Sequence, residues 1–176
     1  GYDFIQIGGA NCELLSEEFN QPLYCMAIYN KFKLATNERQ IQNVILANNL
    51  AYSELTVQNL SKIFDRWSNE YKNIIFFSPM PESIDLHRDF LKFGKVTNSF
   101  SVEKNNIFYN IIESIDIPDN IIIVNSIDYL CAKTIENCFF VDDTLRVVDE
   151  THLSVSGAKH FGNAFSKIKQ FREIFN

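Results

Sequence analysis

Three short apolar runs, each followed by polar residues or a turn, constrain the fold of this chain more than any other feature. They are NVILA at Asn43–Ala47, IIFF at Ile74–Phe77 and IIIV at Ile121–Val124. Compact apolar runs of this length are typical of strands that are buried on both faces of a sheet. Helical patterns alternate with them, which predicts an α/β fold: a three-layer α/β/α sandwich with a mainly parallel sheet.

Hydrophobic periodicity places helices before, between and after these strands. Ser53 is expected to be the N-cap of a long helix, and Ser154 that of an amphipathic C-terminal helix. The remaining predictions are a strand at Asp3–Ile7 and helices over residues 23–35 and around Leu86–Phe93 and Ile107–Ile112.

Composition limits the chain to one domain and excludes several classes of protein. Its 176 residues are 46% hydrophobic and include 16 Phe, which is enough for one core. The formal net charge is −6 and the basic residues are scattered, so we expect no nucleic-acid partner. The sequence contains no apolar run long enough to span a bilayer, and Gly1–Gln6 lacks the basic and apolar regions of a signal peptide. If the protein is exported or tethered to a membrane, we expect the element responsible to lie outside residues 1–176.

Polar residues follow each of the three predicted strands, as Asn48-Asn49, Ser78-Pro79 and Asn125-Ser126. Since the carboxyl ends of parallel strands share one edge of a sheet, these breaks are predicted to line one crevice. There, an Asn amide can donate a hydrogen bond to an oxyanion that develops during a reaction. A turn is the simpler role for Asn48 and Asn49.

The block Asp149-Glu150-Thr151-His152-Leu153-Ser154 precedes the last predicted helix. An Asp three residues before a His can accept a hydrogen bond from Nδ1 and leave Nε2 free to act as a base. The alternative is that Asp149 and Ser154 only cap the helix while His152 lies at the surface.

Four cysteines form two local pairs, Cys12 with Cys25 and Cys131 with Cys138. Their spacing does not match a zinc site, and no metal or other cofactor is implied. Counting alone is equally compatible with buried free thiols in a cytosolic protein.

Together these residues resemble the SGNH hydrolase family, in the version fused to the membrane-embedded acyltransferase family three domain of bacterial O-acetyltransferases. Five stretches carry the resemblance: QIGGANC, CMAIYN, NVILANN, IIFFSPMPES, and the block from Cys131 through Cys138 to VVDETHLSVSGAKHFG. The last is the most specific of them.

The resemblance implies that Asp149 and His152 are the acid and base of a Ser-His-Asp triad, and that Asn49 is the oxyanion donor. Asn49 ends the tripeptide Ala47-Asn48-Asn49, where the family has G-x-N. The resemblance also implies that Cys131 pairs with Cys138 and Cys12 with Cys25 as disulfides, which require an oxidising compartment.

The chain departs from the family at the nucleophile, because it contains no G-D-S. One explanation is that residues 1–176 are a single domain lacking the first strand and its G-D-S block, with the catalytic Ser upstream of Gly1. The other is that Gly8-Gly9-Ala10 occupies the G-D-S position without the Ser. The first is preferred, because Cys12 and Cys25 then match the family's cysteines.

The resemblance implies an extracytoplasmic O-acyltransferase domain within a longer membrane protein, at the periplasmic face of a bacterial membrane. Its acceptor would be a surface glycan such as lipopolysaccharide O-antigen or peptidoglycan, and the fused membrane domain would deliver the acyl donor. The alternatives are a carbohydrate esterase and a non-catalytic glycan-binding or structural module that has lost its nucleophile.

Overall fold

A computed structural model describes residues 23–38, 40–47, 50, 52, 55–83, 100–131, 140–141, 144–145, 154–169, 172 and 174. The helices in this part of the chain are α1 (Leu23–Glu38), α2 (Val57–Glu70), α3 (Glu103–Ile112), α4 (Ser126–Leu130) and α5 (Val155–Phe165). The strands are β1 (Asn43–Leu46), β2 (Asn73–Phe77), β3 (Glu82–Ser83), β4 (Phe100–Ser101), β5 (Ile121–Val124), β6 (Phe140–Val141) and β7 (Thr144–Leu145).

The three apolar runs form one parallel sheet in the order β1-β2-β5, so the predicted α/β class is confirmed. In register, Val44 pairs with Ile74, and Ile74 with Ile121. Each strand begins and ends within one residue of its prediction. Two antiparallel pairs of two-residue strands, β3 with β4 and β6 with β7, lie outside this sheet.

One face of the sheet carries the larger part of the core. Val44, Leu46, Ile74, Phe76 and Ile121 project from this face and are buried with α2 and α3. From α2 the buried side chains are Leu60, Ile63, Phe64 and Trp67, and from α3 they include Phe108 and Ile111. Phe32 packs α1 against the same cluster, with its ring 5.6 Å from that of Trp67.

The opposite face of the sheet packs against α5. Phe77 lies with its ring centroid 5.1 Å from that of Phe161 and 4.9 Å from that of Phe165, and Ile75 and Val124 join the same cluster. Helices therefore cover both faces, as the prediction of three layers requires.

The prediction that all three strands are buried on both faces is wrong for β1. Its alternate residues Val44 and Leu46 are buried, whereas Ile45 between them is 37% exposed. Ile45 pairs in register with Ile75, which is 2% exposed beneath α5. The described part of the helical layer that contains α5 therefore covers β2, at the centre of the sheet, more completely than it covers β1.

The N-cap of α2 is Thr56, so the prediction of Ser53 is wrong. The Thr56 side chain accepts a hydrogen bond of 3.1 Å from the backbone N–H of Asn59. Leu55 and Leu60 flank this cap and are both buried in the same cluster. Apolar residues in these two positions form a hydrophobic staple, which fixes the first turn of a helix.

The other predicted helices agree with the structure to different degrees. The first continues to Glu38, and the helix around Ile107–Ile112 is the second half of α3. Ser154 caps α5 as predicted, and α5 ends at Phe165, whereas the apolar pattern predicted a helix that continues to Phe175. The short α4 was not predicted, and Asp3–Ile7 and Leu86–Phe93 lie outside the described residues. No helix in the described ranges is both long enough and apolar enough to cross a membrane.

Candidate active site

The carboxyl ends of β2 and β5 meet in a buried hydrogen-bonded contact between two serines. The Ser126 hydroxyl donates to the carbonyl of Ser78 at 2.5 Å, and the Ser126 backbone N–H donates to Ser78 Oγ at 3.0 Å. Both serines are at most 2% exposed. These two breaks therefore lie side by side as predicted, in a buried contact; the predicted crevice stays a prediction, and Asn48 and Asn49 lie outside the described residues.

Asn105 of α3 completes this buried contact from the helical layer. Its side-chain Nδ2 donates to Ser78 Oγ and to the carbonyl of Pro79, both at 2.9 Å. Buried polar groups need such partners because an unsatisfied donor or acceptor in the core costs about 1–3 kcal/mol. No local pattern in the sequence indicates this role for Asn105, since its partners are 26 and 27 residues away.

The hydrogen-bonding capacity of Ser78 is fully used, which argues against a nucleophilic role. A hydroxyl has two lone pairs and one proton. The lone pairs accept from Asn105 and from the Ser126 N–H, and a further hydrogen bond joins the Ser78 side chain to Tyr109. Ser78 therefore holds the ends of β2 and β5 at a fixed spacing.

Tyr109 of α3 is the outermost member of this network. Partial burial raises the pKa of its phenol above the ordinary value; the hydrogen bond from Ser78 opposes this rise and the negative charge of Asp128 adds to it. Tyr109 therefore stays protonated at neutral pH and can serve as a hydrogen-bond donor.

Replacement of Asn105 by alanine is expected to lower the free energy of unfolding by about 1–3 kcal/mol, because it removes the donor to two buried oxygens. Chemical denaturation followed by fluorescence of the single Trp measures this loss. Asn106→Ala is the matched control, since Asn106 is exposed on the next position of α3. Equal denaturation midpoints for the two variants would contradict the role given to Asn105.

Two residues that follow β1 closely in the sequence, Leu50 and Tyr52, are held by contacts with the rest of the domain. Leu50 is fully buried, and the Tyr52 hydroxyl donates to Glu103 of α3 at 3.1 Å. The Lys104 ammonium lies 5.0 Å from the centre of the Tyr52 ring and 2.6 Å from the Glu82 carboxylate. Residues on the carboxyl side of Asn49 are thus attached to the start of α3.

Asp149 and His152 lie outside the described residues, and the helix that follows them is α5. The Ser154 hydroxyl accepts from the Gly157 N–H at 2.9 Å, so Ser154 occupies the N-cap of α5. The Ser154 cap agrees with one part of the alternative in which the block serves only to cap the helix, and the roles of Asp149 and His152 stay predictions. α5 contacts both α4 and β7.

The cysteines are only partly described. Cys131, directly after α4, is fully buried and disulfide-bonded. Cys25 lies in α1, and Cys12 and Cys138 are outside the described residues. The pairing of Cys131 with Cys138, and of Cys12 with Cys25, remains a prediction.

Comparison with known proteins adds one finding to this geometry. A family model described as "SGNH domain (fused to AT3 domains)" matches residues 1–167. No curated protein and no solved structure matches the chain. The match covers the sheet and α1 to α5, together with the positions of Asn49, Asp149 and His152.

Proposed function

Because this chain belongs to the SGNH domain family that is fused to AT3 domains, we propose that it is the extracytoplasmic catalytic domain of an O-acyltransferase acting on a cell-surface polysaccharide. The match over residues 1–167 is the observation that carries the proposal. It makes the chain an acyltransferase-associated SGNH module. The acetyl group, the glycan acceptor and the catalytic residues are parts of the proposal.

In the proposed mechanism His152 removes the proton from a Ser upstream of Gly1, and Asp149 orients the imidazole. The Ser oxygen attacks the acyl carbonyl of the donor. The acyl–donor bond breaks, and the leaving group takes the proton from His152, which leaves an acyl-serine. Asn49 and backbone N–H groups hold the tetrahedral oxyanion.

The second half of the reaction uses the same base on the acceptor. His152 takes the proton of a sugar hydroxyl, and the sugar oxygen attacks the acyl-serine. The Ser–acyl bond breaks, the acyl group becomes an ester of the sugar, and His152 returns its proton to the Ser oxygen. Hydrolysis would follow the same steps with water in place of the sugar.

Two features of the described residues support this assignment. α5 packs on the carboxyl-terminal residue of β2 through Phe161 and Phe165, and the D-x-x-H block precedes α5 by only a few residues. The disulfide-bonded Cys131 supports placement in an oxidising compartment, on the periplasmic side of the membrane. The AT3 fusion partner would deliver the acyl donor.

The test is product analysis with the full-length protein, an aryl acetate and a polysaccharide acceptor. We expect an acetyl ester on the glycan and a matching fall in free acetate when the acceptor is added. Release of acetate alone, whether or not acceptor is present, would make the protein an esterase. The absence of both products in a folded full-length protein would favour the non-catalytic glycan-binding module.

A further inference from the structure

A cavity of about 340 Å³ lies beside the carboxyl half of β5. Ile122, Ile123 and Val124 all line it, although consecutive strand residues project to opposite faces of a sheet. Among the described strands β5 has a neighbour, β2, on one side, and the cavity therefore lies along the other side of β5. We call it the β5-edge cavity; the other described residues that line it are Tyr109, Asn125, Asp128, Tyr129 and Ile168.

The polar side chains of the β5-edge cavity offer complementary hydrogen-bonding groups. Asn125 accepts from the Ile127 N–H at 3.1 Å through Oδ1, which leaves its amide nitrogen to donate. Ser78 has only its proton left for Tyr109, because its lone pairs already accept from Asn105 and Ser126. The Tyr109 proton can therefore donate to a ligand.

Asp128 supplies a hydrogen-bond acceptor in the β5-edge cavity. It lies in the first turn of α4 and is exposed, and no salt bridge among the described residues involves it. A carboxylate accepts hydrogen bonds strongly from hydroxyl groups. Among the described residues that line the cavity, Asp128 is the charged one, and its negative charge disfavours an anionic ligand such as a phosphate.

From these groups we propose that the β5-edge cavity binds one neutral sugar unit of the glycan, with its hydroxyls on Tyr109, Asn125 and Asp128 and its apolar face on the branched side chains of β5. The volume is at the lower end of the roughly 300–1,000 Å³ typical of small-ligand sites. The choice of a sugar over another neutral polyol rests on the proposed function.

Tyr109 connects the β5-edge cavity with the residues that follow the carboxyl end of β2. Its side chain lines the cavity, and its hydroxyl is hydrogen-bonded to Ser78 directly after β2. A sugar held here would lie beside the crevice in which the proposed acyl transfer takes place. The cavity would thus position the acceptor and take no part in the chemistry.

Saturation-transfer NMR on the full-length protein tests this site, with the methyl glycosides of glucose, galactose and N-acetylglucosamine as probes. We expect transfer to at least one glycoside and an increase of about tenfold in its Kd in Asp128→Asn, because a charge-assisted hydrogen bond is lost. Tyr109→Phe should weaken binding in the same direction. Asp116→Asn, at an exposed carboxylate outside the cavity, is the matched control and should bind like the unmodified protein.

Three outcomes would overturn the proposal. The first is the absence of saturation transfer to every glycoside, and the second is equal affinity in Asp128→Asn and the control. The third is binding of tetramethylammonium that depends on Asp128 while no glycoside binds, which would assign the cavity to a cation. If the glycosides fail to bind but the protein still acetylates polysaccharide, only this inference fails. If a glycoside binds through Asp128 and no acyl transfer occurs, only the proposed function fails.

Discussion

Replacing His152 by alanine is expected to lower acyl transfer by the full-length protein by about a thousandfold or more. His152 is the proposed base for both the Ser nucleophile and the sugar hydroxyl, so its loss affects both halves of the reaction. The initial rate of acetate release from an aryl acetate, and of acetyl-ester formation on the glycan, measures the effect. The decrease should appear in kcat, because the imidazole acts on the reacting atoms rather than on substrate binding.

The matched control for this variant is His160→Gln. His160 lies within α5, eight positions after His152, and has no part in the proposed mechanism. We expect the control to retain most of the activity. Undiminished turnover in a correctly folded His152→Ala protein would remove His152 from the mechanism.

The second large effect concerns stability. Phe76→Ala is expected to lower the free energy of unfolding by about 3–5 kcal/mol, since the cavity left by a buried Phe is seldom filled by its neighbours. Phe76 is 1% exposed on the central strand, with its ring 5.2 Å from that of Phe64 and 5.8 Å from that of Phe108. A loss of this size is a large fraction of the roughly 5–15 kcal/mol that stabilises a typical domain.

Urea denaturation, followed by Trp67 fluorescence, measures this change. Trp67 is 2% exposed and its ring is 5.3 Å from that of Tyr71, so its emission reports on the same core cluster. Val57→Ala is the control, because Val57 is 50% exposed and should change stability by less than about 0.5 kcal/mol. If Phe76→Ala had as small an effect as Val57→Ala, the packing of α2 and α3 on β2 would be wrong.

The strands could be predicted because burial on a parallel sheet leaves a strong mark on the sequence. Ile74–Phe77 is apolar at every position since alternate side chains contact α2 and α5, and the strand found is one residue longer, at Asn73–Phe77. The run that forms β1 is similarly apolar, although its residue Ile45 is 37% exposed. An apolar run shows that a segment is a strand but not how completely each face is covered.

The exact start of α2 could not be read from the sequence in the same way. Ser53 and Thr56 are both hydroxyl residues that can cap a helix, and they are only three positions apart. The choice of Thr56 fits the burial of Leu55 and Leu60 on either side of it, which is a tertiary effect. Short elements were missed for a related reason: α4 has five residues, too few for a helical pattern.

The candidate site was predictable only in part. The residues that follow β2 and β5 were expected to meet, and Ser78 and Ser126 do so. Asn105 and Tyr109 were not expected, because nothing local relates a residue of α3 to the end of a strand more than 25 positions earlier. The roles of Asn49, Asp149 and His152 rest on the resemblance and on the family match.

The central claim is that this domain carries an acyl group on a serine activated by His152, and mapping of the labelled residue tests it most directly. The full-length protein is treated with a fluorophosphonate that labels activated serines, digested and sequenced by mass spectrometry. We predict a single labelled Ser upstream of Gly1, with the label lost in His152→Ala and retained in His160→Gln. Labelling of a serine within residues 1–176, or labelling that does not depend on His152, would contradict the account.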